Sequence, residues 1–160
     1  MSPDLSLPPI ERLRIWFRDP VKKLSGDDAF VCLSISLSLF ERYVYAVLSE
    51  EGSNADKKSF EKKASDILQI DLEVVNKFWG MYRTGLQHFL QPKIFESNGI
   101  KYRWEICGNF SAKPELVKKA PNLYIVRIDP WKWFNLVFDL WEKRPDLLDR
   151  LSDFPLGEIY

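Results

Sequence analysis

Apolar positions recur at helical spacing through the first half of the chain and shift to a strand-like pattern only after Pro92. Pro8 and Pro9 precede Ile10-Glu11-Arg12-Leu13-Arg14-Ile15-Trp16-Phe17, which predicts a short first helix that stops before Pro20. Gly26-Asp27-Asp28 then supplies a turn and an N-cap. From Ala29 to Leu48 there is no Gly or Pro, and this stretch predicts a long helix although Leu33 to Leu39 alternates with period two. Phe40, Val44, Val47 and Leu48 continue a helical stripe, which decides the matter. The serines of that stretch are small enough for close helix packing, and their hydroxyls can bond back to the preceding turn. Glu50 to Lys57 reads as a polar loop. Phe60, Ala64, Ile67 and Leu68 mark a third, amphipathic helix with basic residues on its outer side. Asp71 is placed to cap a fourth helix carrying Leu72, Val75, Phe78, Trp79 and Tyr82. That helix must end near Pro92, whose ring would clash with the carbonyl of His88.

Beyond it, Lys93 to Glu96, Ser97-Asn98-Gly99 and Ile100 to Cys107 form a hairpin signal with Asn-Gly as the turn dipeptide. Leu123 to Ile128 is a candidate third strand. Asp129-Pro130 is an N-cap followed by a first-turn proline, and Trp131 to Lys143 reads as a strongly apolar final helix. The expected fold is mainly α, a helical bundle with a small β-hairpin or three-stranded insertion before the C-terminal helix. Residues 1–160 form one domain, with a helical core over about 10–92, the β element over about 94–128 and the last helix over about 130–144.

Composition narrows the function classes. Twenty-three basic and twenty-three acidic residues cancel, so no global field draws the chain to nucleic acid and any such binding needs a local patch. Met81 to Arg103 carries a net +3 and Asp139 to Tyr160 a net −3. Cys32 and Cys107 form neither a CxxC pair nor a disulfide framework, and are expected as buried thiols in a reducing cytosol. Met1 to Arg14 lacks the pattern of a secretory signal. The most apolar run, Phe30 to Phe40, is too short for a membrane span and is interrupted by three serines. With one histidine and scattered cysteines a metal site is not expected; neither a Gly-rich phosphate loop nor a nucleophile-elbow serine is present.

The only histidine lies in Tyr82-Arg83-Thr84-Gly85-Leu86-Gln87-His88, an R-x4-H arrangement late in the predicted fourth helix. The stretch Phe78 to Lys93 around it resembles the signature of HEPN domains, all-helical proteins of RNA processing, antiviral defence and toxin–antitoxin systems. The resemblance spans roughly Ile10 to Lys93 and leaves the hairpin and the Trp-rich helix as elaboration. It implies RNA cleavage without metal or cofactor, across a homodimer, with Arg83 and His88 as the catalytic pair. Thr84 occupies the polar position after the arginine where asparagine is more usual, and Glu41, in Phe40-Glu41-Arg42, matches the acidic residue that orients the pair. An antitoxin or other protein partner belongs to the same picture. The position two after the histidine, where one toxin subclass carries a tyrosine that its antitoxin modifies, is Leu90 here.

The residue types suit that chemistry. Histidine serves as proton acceptor and donor near neutral pH, and arginine matches phosphate oxygens with forked donors of permanent charge. One imidazole per chain means that paired acid–base catalysis needs two chains. On an ideal helix five positions leave Arg83 and His88 roughly 140° apart. Either the helix distorts near Gly85 or each motif faces its twin. Other assignments stay open. His88 also suits a packing role, and Arg83 suits an ion pair with Glu41 or Asp71. Lys93, Lys101 and Arg103 are RNA contacts or solvated hairpin charges. Tyr82 and Trp104 stack on bases or fill the core. Trp131, Trp133 and Trp141 read as core or as part of a dimer seam. The functional alternative is a non-catalytic HEPN-like module that binds RNA or protein.

Overall fold

The computed structural model describes residues 6–89 and 91–149. Residues 1–5, Leu90 and the end of the acidic C-terminal segment from Arg150 lie outside the described residues. Six helices come first: α1 (Pro9–Leu13), α2 (Asp19–Val21), α3 (Ala29–Glu50), α4 (Lys57–Leu68), α5 (Leu72–Phe78) and α6 (Thr84–Phe89). Four strands follow: β1 (Phe95–Ser97), β2 (Ile100–Ile106), β3 (Glu115–Ala120) and β4 (Leu123–Ile128). The helices α7 (Pro130–Lys143) and α8 (Asp146–Asp149) complete the order. The protein is mainly α with a sheet inserted before α7, as the pattern predicts.

Two π-helical turns, Arg14–Arg18 and Trp79–Arg83, join α1 to α2 and α5 to α6 without a break. The first overturns the expected stop before Pro20. The Asp19 N–H already reaches five residues back, to the Arg14 carbonyl, so the ladder is widened where proline would otherwise collide with the carbonyl four before it. The cap of the long helix also differs from expectation. Gly26–Asp28 forms a 3-10 turn, and Ser25 and Asp28 make a reciprocal capping box around it. Asp71 does sit at the N-cap of α5, but only its carbonyl is used, by the Val75 N–H at 3.2 Å. Asp129 caps α7 through Oδ1, which accepts from the N–H groups of Trp131 at 3.0 Å and Lys132 at 3.1 Å.

The core is built around α3, which packs on α4 and α7. Ser36 and Ser38 donate back to the carbonyls of Cys32 at 2.7 Å and Ser34 at 3.0 Å, so hydroxyls in an apolar helix stay satisfied. Trp133 and Trp141 are fully buried. Trp133 meets Phe40 and Phe78 edge-on, while Trp141 meets Tyr43 at 5.2 Å and donates its Nε1 proton to the Leu39 carbonyl at 3.2 Å. Trp133 and Trp141 are therefore spent inside the chain, while Trp131, on the same helix, is half-buried. By length and composition Gly26–Glu50 would suffice to cross a membrane, a span longer than the Phe30–Phe40 run; 56% of its apolar window is buried against the rest of the chain.

The sheet has the order β1-β2-β4-β3, with β1/β2 and β3/β4 antiparallel and β2/β4 parallel. Asn98 and Gly99 both adopt positive φ, 52° and 73°, which makes the tight β1–β2 turn that Asn-Gly favours. Register places Phe95, Tyr102, Trp104, Tyr124, Val126 and Ile128 on the side packed against the helices. Lys101, Arg103, Glu105, Ile125 and Arg127 fall on the other side.

One ion-pair cluster ties the N-terminal helices to α7. Glu142 accepts from Arg14 through both carboxylate oxygens, at 2.8 Å from Nε on one of them, and from Arg18 at 3.3 Å. The hydrogen bond from Arg14 and its charge hold the Glu142 carboxyl below its ordinary value near 4.5. Because the folded value is depressed, the stabilisation is complete above the ordinary value and is lost as pH falls through the folded one. Comparing urea melts at about pH 6 and about pH 3, the parent is expected to lose about 1 kcal/mol more than Glu142→Gln. Equal losses in the two proteins would show that the cluster contributes nothing.

Candidate functional site

The motif begins where the π-helical turn ends. Thr84 to Phe89 is ordinary α-helix, so the distortion precedes Gly85 and the five-residue interval itself keeps Arg83 and His88 off a common stripe. The Arg83 side chain is drawn in, only 14% exposed, whereas His88 is exposed. Thr84 is exposed at the start of α6.

Gly85 holds the local backbone together. The Met81 carbonyl accepts from the Lys93 N–H at 2.8 Å, which folds the chain after α6 back across the helix. A Cβ at Gly85 would lie 2.4 Å from the Lys93 nitrogen, 2.6 Å from the Gln91 carbonyl oxygen and 2.8 Å from the Pro92 Cα. All three are backbone atoms, so only glycine leaves room for the crossing.

Arg83 is held by Glu41 from α3, not by Asp71. Its Nε and Nη2 both donate to Glu41 Oε2, at 2.9 and 2.5 Å. Nη1 is buried and has no hydrogen-bond partner among the described residues. Tyr45, one turn beyond Glu41 on α3, completes the cluster. Burial pushes its phenol above the ordinary value, the Glu41 charge pushes the same way, and Arg83 opposes them. Tyr45 is a site neighbour that the motif does not reveal; its only signal is the i,i+4 spacing from Glu41.

The weaker candidates separate into three groups. Of the two roles open to Tyr82, base stacking and core packing, the structure shows the second: it is fully buried, and its hydroxyl donates toward the carbonyls of Val126 at 2.9 Å and Glu105 at 3.1 Å. It anchors the motif helix to the sheet and presents no face to a ligand. Lys101 and Arg103 are exposed, but alternation along β2 sets them on the side of the sheet opposite Trp104, away from the helices. Lys93 is exposed beside the motif. The expectation of two buried thiols holds for Cys32 alone. Burial raises its thiol to about 12, while Cys107, just past the end of β2, is exposed. Among the described residues no three His, Cys, Asp or Glu side chains converge as metal ligands would.

The arrangement is an arginine fixed by a carboxylate, with an exposed imidazole five residues further along the same helical segment. No family model, curated protein or solved structure matches the chain.

Proposed function

We propose that this protein is a metal-independent endoribonuclease of the HEPN type, a helical bundle that cleaves RNA at a site shared between two copies of the chain in the cytoplasm. The observation that supports it best is the Arg83–Glu41 pair. The carboxylate engages Nε and Nη2, and Nη1 has no partner among the described residues, so one guanidinium nitrogen is in reserve for a phosphate oxygen. Nη1 is closed to solvent, so phosphate reaches it only when the pair with Glu41 shifts. In this reading Arg83 stabilises charge on the reacting phosphate, and the exposed His88 moves protons to and from the 2′-hydroxyl and the leaving oxygen. Thr84 is exposed next to Arg83 and lines the approach. The histidine acts opposite its counterpart from a second copy, since each chain has one. A toxin or antiviral effector, restrained by an antitoxin or other protein partner, is the setting that the motif implies.

The closed pair also favours a second reading. A guanidinium neutralised by Glu41 and shut off from water is what a non-catalytic interaction module would keep for stability alone. Incubation with RNA in EDTA separates the two. We expect the parent to cut, and His88→Ala and Arg83→Ala each to lose at least about a hundredfold in rate. Unchanged cleavage in both variants, or none in the parent, would leave the module.

A further inference from the structure

Beside the motif, Gln91, Pro92, Lys93, Ile94 and Trp104 line an open groove of about 350 Å³. Its floor is fixed to the motif helix by the Lys93 N–H bond to Met81 and by the crossing at Gly85, which stands three residues before His88 on α6. Trp104 stands on the inner side of β2, half-buried in an edge-on contact with Phe30, centroids 5.6 Å apart, and also lines the groove. Ile94 is 59% exposed, more than any other large hydrophobic among the described residues.

We infer that this groove takes an unpaired nucleobase of RNA, from a nucleotide next to the phosphate handled at Arg83 and His88. The inference rests on the ribonuclease reading and adds to it where the substrate is gripped. Charge and chemistry favour this occupant. Among the described residues the groove is lined by one cation, Lys93, and by no carboxylate. The Trp104 indole can stack on a base, whichever base it is, and Ile94 adds apolar contact beside it. The Gln91 amide offers both a donor and an acceptor to a base edge, and Lys93 meets the attached phosphate. A folded protein partner fits less well, because a stable interface covers about 800 Å² on each side, and five residues supply far less. Base pairing would hide the faces that Trp104 and Ile94 need, so the groove selects single strands.

The test uses the full chain carrying His88→Ala, so that RNA survives, with anisotropy of a fluorescein-labelled single-stranded oligoribonucleotide of mixed sequence in EDTA. Adding Trp104→Ala or Ile94→Glu is expected to weaken binding about tenfold or more, and Trp104→Phe to retain most of it. Lys93→Ala should lower the salt slope of log K by about 0.7, one phosphate contact on a single strand. The same RNA as a duplex should compete poorly. Ile94 is exposed, so Ile94→Glu keeps the test open even where Trp104→Ala disturbs packing on Phe30. Equal binding by Ile94→Glu and its parent overturns the groove, and so does equal competition by duplex. If the unmutated chain still cuts RNA in either case, the ribonuclease reading stands alone. If RNA binds and Ile94→Glu releases it, but the unmutated chain does not cut, the groove stands and the ribonuclease reading falls. A chain that neither binds nor cuts overturns both.

Discussion

Replacing Gly85 with alanine is expected to destabilise the protein by about 3 kcal/mol, against the trend for a helix interior. Alanine gains about 1 kcal/mol over glycine on helix propensity alone, so an exposed helical glycine would be improved by the change. Gly85 is not such a site. Its Cβ would press on the backbone of Gln91, Pro92 and Lys93 at 2.4 to 2.8 Å, and backbone cannot rotate away as a side chain can. Relief requires the segment after α6 to lift, which breaks the Lys93 N–H bond to Met81 and tilts both the motif and the wall carrying Lys93 and Ile94. Urea denaturation of Gly85→Ala beside Gly80→Ala checks this, because Gly80 has nothing within 4 Å of an added Cβ and should gain where Gly85 loses. Equal effects at the two glycines would mean that the crossing of the chain over α6 does not hold in solution.

Much of the fold was legible because the sequence states it locally. The absence of Gly and Pro from Ala29 to Leu48, the Asn98-Gly99 turn and the Asp129-Pro130 start each act within a few residues, and α3, the hairpin and α7 follow from them. The sheet has four strands where the sequence predicts at most three, and the additional one is β3. Glu115-Leu116-Val117-Lys118-Lys119-Ala120 carries two adjacent lysines and an irregular register between Lys118 and Ala120, because it is an edge strand with a half-solvated face, and edge strands lack the apolar run of central ones. The π-helical turns were illegible for another reason. They depend on how a helix seats against its neighbours, and Pro20 read in isolation looks like a stop.

The site divides along the same line. Arg83 and Glu41 are 42 residues apart and do meet, a pairing compatible both with the resemblance and with an ordinary ion pair. What the motif could not convey is depth. Tyr82 precedes an arginine in a stretch read as a site, yet helix phase turns it into the core, where two sheet carbonyls receive it. Lys101 and Arg103 resemble Lys93 in charge and lie near it in sequence. The period-two alternation with Tyr102 and Trp104 already places them on the opposite face, a signal present in the residues and outweighed by the count of charges.

The second large effect belongs to Glu41. Glu41→Ala leaves the Arg83 guanidinium 14% exposed with no acceptor among its described contacts, next to an Nη1 that already lacks one. An uncompensated charge at that depth costs about 3 kcal/mol, at the lower end for broken buried pairs because Glu41 itself keeps 25% of its surface in water. Removing the charge as well should reverse the loss. The double variant Glu41→Ala with Arg83→Met is expected to return to within about 1 kcal/mol of the parent, since an unbranched apolar chain fills the space without needing a counter-ion. This cycle separates stability from chemistry. In the ribonuclease reading the restored double variant remains unable to cut RNA, because the phosphate has lost its guanidinium although the fold is sound. In the interaction-module reading, RNA or protein binding returns with stability, and Arg83 and Glu41 matter only as a pair.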